Sequence, residues 1–129
     1  MSVATICLVI ACVFPVVCAG IAKRGGVADG SFDNHAPRDW LAKQTGVAAR
    51  ANAAQANSWE ALPIFAAGVL SAQLAQAPAH LVDALALTFV LARVAYLALY
   101  LADRATLRSV VWTLGLGASL GLFFLPLAA

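Results

Sequence analysis

The chain has 129 residues, which is enough for one domain and too few for two ordinary ones. Hydrophobic residues make up 63% of it and charged residues only 11%, whereas a soluble domain of this size carries about 25% charged residues. This composition excludes an ordinary soluble domain and indicates an integral membrane protein, and the formal net charge of +2 is too small to indicate binding to nucleic acid.

Long apolar segments dominate the chain from one end to the other. A transmembrane helix requires about 20 mainly apolar residues. The sequence therefore predicts a single domain, residues 1–129, that is all-α and forms a membrane-embedded four-helix bundle. Its predicted helices are residues 3–22, 47–76, 81–103 and 107–127, with a cytoplasmic loop at 23–46.

Positive charge is concentrated in two of the predicted connections. The second connection and both termini carry none. Because lysine and arginine accumulate on the cytoplasmic side of membrane proteins, the first and third connections are expected to face the cytoplasm and both termini the opposite side. The charged residues are Lys23, Arg24, Arg38, Lys43 and Arg50 around the first connection, and Arg104 and Arg108 in the third.

The second predicted helix carries a polar stripe in its first half. Arg50, Asn57 and Glu60 are seven and three residues apart, so they share one helical face. An ionisable side chain inside a membrane helix costs a few kcal/mol, which makes each one a functional candidate. We therefore expect this face to meet another helix, another subunit or a water-filled pocket.

The third predicted helix carries a second stripe. Arg93, Tyr96, Tyr100 and Arg104 follow one another at intervals of three, four and four residues, and Arg108 comes four residues later. At about 100° per residue these side chains stay on one narrow face. The pattern predicts a ladder of guanidinium and phenol groups that faces away from lipid.

Two interpretations of these stripes remain open. In the first, Glu60 pairs with Arg93 to hold the bundle together, while Arg104 and Arg108 anchor its cytoplasmic end. In the second, the excess of positive charge binds an acidic ligand, because guanidinium groups bind carboxylates through two parallel hydrogen bonds. One buried ion pair does not account for all these polar side chains, so the second interpretation is favoured.

A metal site is not expected in the polar connection at 23–46. Its acidic residues and histidine lack the spacing and the terminal glutamate of a calcium-binding hand. They also lack the ligand pattern of a zinc site. These residues are Asp29, Asp33, His35 and Asp39.

Both stripes lie within segments that resemble the MAPEG family, the membrane-associated proteins in eicosanoid and glutathione metabolism. Ala-Gln-Ala-Asn-Ser-Trp-Glu-Ala-Leu-Pro at 54–63 resembles the second-helix signature of the family. Ala-Arg-Val-Ala-Tyr-Leu-Ala-Leu-Tyr at 92–100, followed by Leu107-Arg108-Ser109, resembles its third-helix motif. The basic end of the first helix, at 22–24, is also similar. The loop at 33–38 resembles the bacterial members, which implies a bacterial inner membrane.

The resemblance implies a homotrimer in membrane lipids that binds glutathione between subunits, near the cytoplasmic side. It implies a glutathione-dependent transferase or peroxidase whose small lipophilic substrate, an electrophile or a hydroperoxide, arrives from the membrane. The family also contains a non-catalytic member that binds lipid or a partner protein. Ala53, Ala56 and Ala61 stand where family enzymes carry arginine or tyrosine, and the arginines missing at positions 53 and 56 favour this alternative.

The resemblance also assigns roles to individual residues. Asn57 and Glu60 hold polar groups of glutathione, Arg93 lies near them, and Tyr96 and Tyr100 contact its backbone or carboxylates. The sulfur lies beside an arginine, for which Arg108 and Arg104 are both candidates. A guanidinium at that place stabilises the reactive thiolate. The remaining binding candidates are Arg50, on the face of Asn57, and Arg24 or Lys23, across the subunit interface.

Overall fold

The computed structural model describes residues 1–127, and this part of the chain confirms the all-α prediction. Helices α1 and α3 pack along each other, and α5 packs against both α3 and α4. Helix α1 also contacts α4, while the short α2 lies on α3. The helices are α1 (Val3–Asp29), α2 (Pro37–Ala42), α3 (Gly46–Leu74), α4 (Ala79–Leu101) and α5 (Ala105–Phe124), which a 3₁₀ turn (Leu125–Leu127) follows.

Three segments are long and apolar enough to cross a membrane: Val3–Asp29, Ala79–Leu101 and Ala105–Leu127. They identify the chain as an integral membrane protein. Helix α3 has 29 residues and is long enough to span a bilayer at about 1.5 Å per residue. Its polar first half gives it a lower apolar content than the other three. Polar side chains, which are unfavourable in contact with lipid, are therefore concentrated in the first half of α3.

Helix α1 continues beyond the end predicted from the sequence. The prediction that a loop begins at Lys23 is wrong, since the helix runs through Gly25 and Gly26 to Asp29 and closes on Gly30, whose φ is 77°. Glycine weakens a helix but does not end it where packing compensates. Gly26 is buried under the indole ring of Trp40. The ring occupies the space that a Cβ atom at position 26 would need. This packing stabilises the extra turns.

The connection at 23–46 is also more ordered than a loop, because it contains α2. Pro37 begins this helix at a position where its missing N–H costs nothing. Trp40 packs edge to face on Phe32, with ring centroids 5.2 Å apart. Leu41 is buried in a cluster with Ala22 and Ala51. The connection therefore lies against the ends of α1 and α3.

A tight turn joins α4 to α5. Helix α4 ends at Leu101, two residues before its predicted end, and Asp103 has a φ of 57°. The Arg104 N–H donates to the Leu99 carbonyl at 2.8 Å, which closes the turn. The Arg50 guanidinium donates to the Leu101 carbonyl at 3.2 Å. This contact places a cation at the C-terminal end of α4, where the helix dipole favours positive charge.

Candidate functional site

Arg93 is the most deeply buried charged side chain of the described part of the chain, with 5% of its surface exposed. One terminal nitrogen donates to the Asn57 side-chain oxygen at 2.9 Å, and the other donates to the Ser58 hydroxyl, also at 2.9 Å. Ser58 in turn donates to the Ala54 carbonyl at 2.7 Å. These bonds join α4 to α3, although the buried Nε atom of Arg93 has no partner.

Asn57 stands between Arg93 and the Glu60 carboxylate. Its side-chain nitrogen donates to Glu60 Oε2 at 3.3 Å, while its oxygen accepts from Arg93. The pairing of Glu60 with Arg93 is therefore indirect in residues 1–127. Because an amide NH₂ group has two N–H donors and one is used by Glu60, the second N–H of Asn57 remains to donate to a ligand. Glu60 is exposed, so its carboxylate is free to accept hydrogen bonds.

A row of two phenol groups between two guanidinium groups runs from Arg93 to Arg108. The Arg93 guanidinium lies 4.2 Å from the centre of the Tyr96 ring. Tyr96 and Tyr100 pack edge to face at 5.5 Å, and the Arg108 guanidinium lies 4.2 Å from the centre of the Tyr100 ring. Both cation–π distances are within the favourable range. The structure thus brings Arg93, Tyr96, Tyr100 and Arg108 together, with Arg108 coming from α5.

Arg104 does not belong to this row. The prediction that it continues the α4 stripe is wrong, because α4 ends at Leu101 and Arg104 lies in the turn before α5. Its side chain is exposed, whereas that of Arg108 is partly buried. The turn, and not helical periodicity, brings Arg108 back beside Tyr100.

Two further candidates lie away from the row. Arg50 lies on the same helix as Asn57 and Glu60, but its guanidinium binds the Leu101 carbonyl at the end of α4 and lines neither of the cavities beside the row. Arg24 is exposed on α1 and lines neither of the cavities beside the row. In one copy of the chain, both arginines are separate from the other candidates.

Two adjoining cavities lie beside these residues. The first, which we call the polar chamber, has a volume of about 210 Å³. The second, the apolar chamber, lies nearer the middle of the helices and has a volume of about 120 Å³. Asn57 and Trp112 line both. The polar chamber is also lined by Tyr96, Tyr100, Arg108 and Ser109, and the apolar chamber by Glu60, Ala61, Ile64, Phe89, Arg93, Gly115, Leu116 and Ser119.

The sequence interpretation missed Ser58 and Trp112. Ser58 follows Asn57 directly, and its small size allows it to accept from Arg93 inside the packed helices. Trp112 lies one turn after Arg108 on α5, and this i, i+4 spacing places the two side chains on the same face. That spacing is the signal by which Trp112 could have been found.

The arrangement suits a ligand that carries charges of both signs. Glu60 can accept from an ammonium group, and the Asn57 NH₂ and the Arg108 guanidinium can donate to carboxylates or to an anionic sulfur. The apolar chamber begins directly beside these groups. In residues 1–127, no group of three His, Cys, Asp or Glu side chains is placed to hold a metal ion.

Comparison with known proteins agrees with this geometry. No curated protein and no solved structure matches the chain. The family model described as MAPEG family matches residues 3–128, which is nearly the whole chain and includes every residue of the row and of the two chambers. The chain therefore belongs to the MAPEG family.

Proposed function

We propose that this protein is a membrane-bound, glutathione-dependent transferase or peroxidase that acts on lipophilic electrophiles or hydroperoxides. Membership of the MAPEG family gives the general setting, a membrane protein related to glutathione or eicosanoid metabolism. The observation that carries the specific proposal is the position of Arg108. Its guanidinium lies 4.2 Å from the Tyr100 ring and lines the same chamber as Asn57.

The polar groups fit glutathione, which has one ammonium group, two carboxylates and a thiol. Glu60 would bind the ammonium group. The Asn57 NH₂, oriented by Arg93, and the Tyr100 hydroxyl would donate to peptide or carboxylate oxygens. Arg108 would lie beside the sulfur. The two chambers share Asn57, so one ligand can reach Glu60 and Arg108 together.

Glutathione supplies the nucleophilic thiol, so the protein needs no nucleophile of its own. Arg108 carries a guanidinium group, and a positive charge beside the sulfur favours the thiolate over the thiol. Stacking on Tyr100 limits the rotation of the Arg108 side chain, so its charge is already in place before the thiol proton leaves. The apolar chamber, on the other side of Trp112, would admit the lipophilic substrate.

The assembly and orientation belong to the same proposal. A homotrimer with α3 as a fourth transmembrane helix would cover the polar half of α3, which lipid alone would not tolerate. Arg24, exposed in one copy, would then be available to the site of a neighbouring subunit. The positive charge around α2 and the α4–α5 turn supports a cytoplasmic position for this end, in a bacterial inner membrane with both termini on the other side.

The test is glutathione conjugation by the purified protein in lipid nanodiscs, with 1-chloro-2,4-dinitrobenzene as the electrophile. Arg108→Ala should lower kcat/KM by roughly 100-fold, the size of effect expected when one preorganised charge is removed. Arg104→Ala is the matched control, because Arg104 is exposed in the turn and should leave the rate unchanged. Full activity of Arg108→Ala would contradict the assigned role.

A second candidate is a non-catalytic protein that binds lipid or a protein partner in the same fold. It is favoured by the scarcity of cations in the polar chamber, where Arg108 is the one arginine of the lining. Ala53 and Ala56 add no charge on α3. Thermal-shift measurements with millimolar glutathione separate the two candidates. A ligand that binds the folded state must raise the melting temperature, so no shift would favour the non-catalytic candidate.

A further inference from the structure

Another cavity lies at the end of the packed helices opposite the polar chamber. Its volume is about 220 Å³, and Asp83 is the one charged side chain of its lining. Asp83 comes 13 residues before Tyr96 on α4, which is about 20 Å along the helix at 1.5 Å per residue. We call this cavity the Asp83 pocket, and it is lined by Ser2, Gln73, Ala77, Ala79, Val82 and Asp83.

The negative charge of Asp83 has no basic counterpart at this end of the protein. Lysine and arginine are absent from the stretches of sequence that form it, residues 1–22, 51–92 and 109–129. Arg93 is ten residues further along α4, or about 15 Å. His80 is closer, but it is exposed and does not line the pocket. Because an ionised side chain inside a membrane helix is costly, Asp83 is a candidate for a function of its own.

One hydrogen bond holds Asp83 in place and leaves half of its carboxylate available. The Oδ1 atom accepts from the Ala4 N–H at 2.8 Å, which joins α4 to the first turn of α1. A carboxylate accepts through both oxygens, so the Oδ2 atom remains for a ligand. Since Asp83 is partly buried, its direction is fixed before any ligand binds.

Gln73 adds a second acceptor to the pocket. Its side-chain nitrogen donates to the hydroxyl groups of Ser2 and Thr5, at 3.1 and 3.4 Å. These two hydroxyls are also hydrogen-bonded to each other at 2.9 Å. The amide donors of Gln73 are thus used within the protein, whereas its side-chain oxygen remains to accept. A ligand that matches Asp83 and Gln73 must therefore donate hydrogen bonds and carry positive charge.

The size and surroundings of the pocket suit a small amine. An apolar cavity of roughly 150 Å³ holds one benzene molecule, so about 220 Å³ is enough for an ethanolamine group, which has fewer heavy atoms. Leu74, next to Gln73, is 85% exposed, and Leu81, two residues before Asp83, is 40% exposed. In a membrane, such leucines contact acyl chains. A phospholipid headgroup can therefore lie beside the pocket.

We propose that the Asp83 pocket binds a primary ammonium group, supplied by the ethanolamine headgroup of a phospholipid or by a free amine. The ammonium group donates to Asp83 Oδ2 and to the side-chain oxygen of Gln73. A choline headgroup carries the same charge but has no N–H to donate, so the pocket discriminates between the two headgroups. This site goes beyond the proposed function and does not depend on glutathione.

Native mass spectrometry of the detergent-solubilised protein tests the lipid source. Phosphatidylethanolamine and phosphatidylcholine with the same acyl chains are added in equal amounts, and the ratio of the two singly bound lipids is measured. The pH is about 8, where imidazole groups are neutral and primary amines are protonated. Phosphatidylethanolamine should exceed phosphatidylcholine at least about tenfold, the difference that one hydrogen bond to a charged group makes.

Asp83→Asn removes the charge but keeps an oxygen that can accept from the Ala4 N–H. The lipid ratio should fall about tenfold in this variant. Asp103→Asn is the matched control, because it makes the same chemical change at an exposed position of the α4–α5 turn. Asparagine tolerates the φ of 57° at that position, and the ratio should equal that of the wild type.

A second variant decides the matter if Asp83→Asn does not fold. Ala79 is exposed in the first turn of α4 and precedes Asp83 by four residues, so the two share one helical face. Ala79→Lys brings an ammonium group of the chain itself to the carboxylate and should abolish the preference for phosphatidylethanolamine. Ala102→Lys, at an exposed position after the other end of α4, should leave the preference intact. A wild-type ratio in Ala79→Lys would overturn the inference.

The melting temperature in phosphatidylcholine nanodiscs tests the free-amine source. Millimolar ethanolamine should raise it in the wild type and not in Asp83→Asn if the ligand comes from solution, because a ligand stabilises the state that it binds. Millimolar choline is the matched probe and should have no effect. A lipid preference without a rise in melting temperature assigns the site to the headgroup. A wild type that neither prefers phosphatidylethanolamine nor responds to ethanolamine would overturn the inference, as would equal results for the wild type and a folded Asp83→Asn protein.

Discussion

Arg93 fixes the side chain of Asn57 by donating to its oxygen at 2.9 Å. The same guanidinium holds Ser58, whose own hydroxyl is bound to the α3 backbone. A buried cation therefore sets the direction in which the Asn57 NH₂ points, toward Glu60 and the two chambers. Burial of this charge at 5% exposure is costly in a membrane, and its hydrogen bonds to α3 offset part of that cost.

Ser58→Ala should therefore act on glutathione binding through Arg93 and Asn57, although Ser58 lines neither the polar nor the apolar chamber. We expect the KM for glutathione to rise roughly fivefold, equivalent to one lost hydrogen bond of about 1 kcal/mol. Because Arg108 is untouched, kcat should fall by less than about twofold. Ser58→Thr keeps the hydroxyl and should restore most of the affinity. Equal losses in both variants would indicate a packing effect instead.

Tyr100 offers a ring and a hydroxyl, and two substitutions separate their contributions. Tyr100→Phe keeps the aromatic ring, whose centre lies 4.2 Å from the Arg108 guanidinium. It removes only the hydroxyl, and the loss of one hydrogen bond, about 1 kcal/mol, should reduce activity roughly fivefold. Tyr100→Leu removes the aromatic face and should cost a further 0.5–1 kcal/mol, roughly threefold, because Arg108 loses its cation–π contact. Steady-state kinetics with varied glutathione measure both effects. Equal activities of the two variants would show that the ring does not hold Arg108.

The composition and the stripe spacing were sufficient to predict the all-α membrane fold and the proximity of Arg93, Tyr96 and Tyr100. These inferences depend on helical periodicity, which local sequence determines. The positions of Arg50, Arg104 and Arg108 depend instead on where α4 ends. Asp103 adopts a positive φ there, a conformation that its sequence did not indicate. Because α4 ends two residues before its predicted end, Arg108 and not Arg104 lies beside Tyr100.

The end of α1 shows the same limit. Two consecutive glycines after Lys23-Arg24 predict the end of a helix. Trp40, which is 14 residues beyond Gly26, packs on that glycine, and the helix continues past it. That contact is tertiary, and no local pattern encodes it. Helix ends that depend on distant packing are for this reason the least predictable part of the fold.

Gly26→Ala should destabilise the protein, because its Cβ atom would overlap the ring of Trp40. The ring must move, and overpacking of this kind costs about 1–3 kcal/mol. Gly25→Ala is the matched control, since nothing lies within 4 Å of a Cβ atom at that position. It should be neutral or slightly stabilising, because alanine favours a helix more than glycine does. The melting temperature in detergent compares the two variants, and equal values would contradict the packing of Trp40 on α1.

Arg50→Ala distinguishes a structural arginine from a ligand-binding one. Arg50 donates to the Leu101 carbonyl, so its loss should lower the melting temperature of the ligand-free protein, with a cost of about 1–2 kcal/mol for a cation removed from a partly buried helix C-terminus. The additional stabilisation by saturating glutathione should remain the same, because Arg50 lines neither chamber. Arg50→Lys, which keeps the charge, should recover part of the loss. The opposite result would be an unchanged melting temperature of the ligand-free protein together with loss of the increase that glutathione causes. Arg50 would then be a ligand contact, supplied in the assembled protein by a neighbouring subunit.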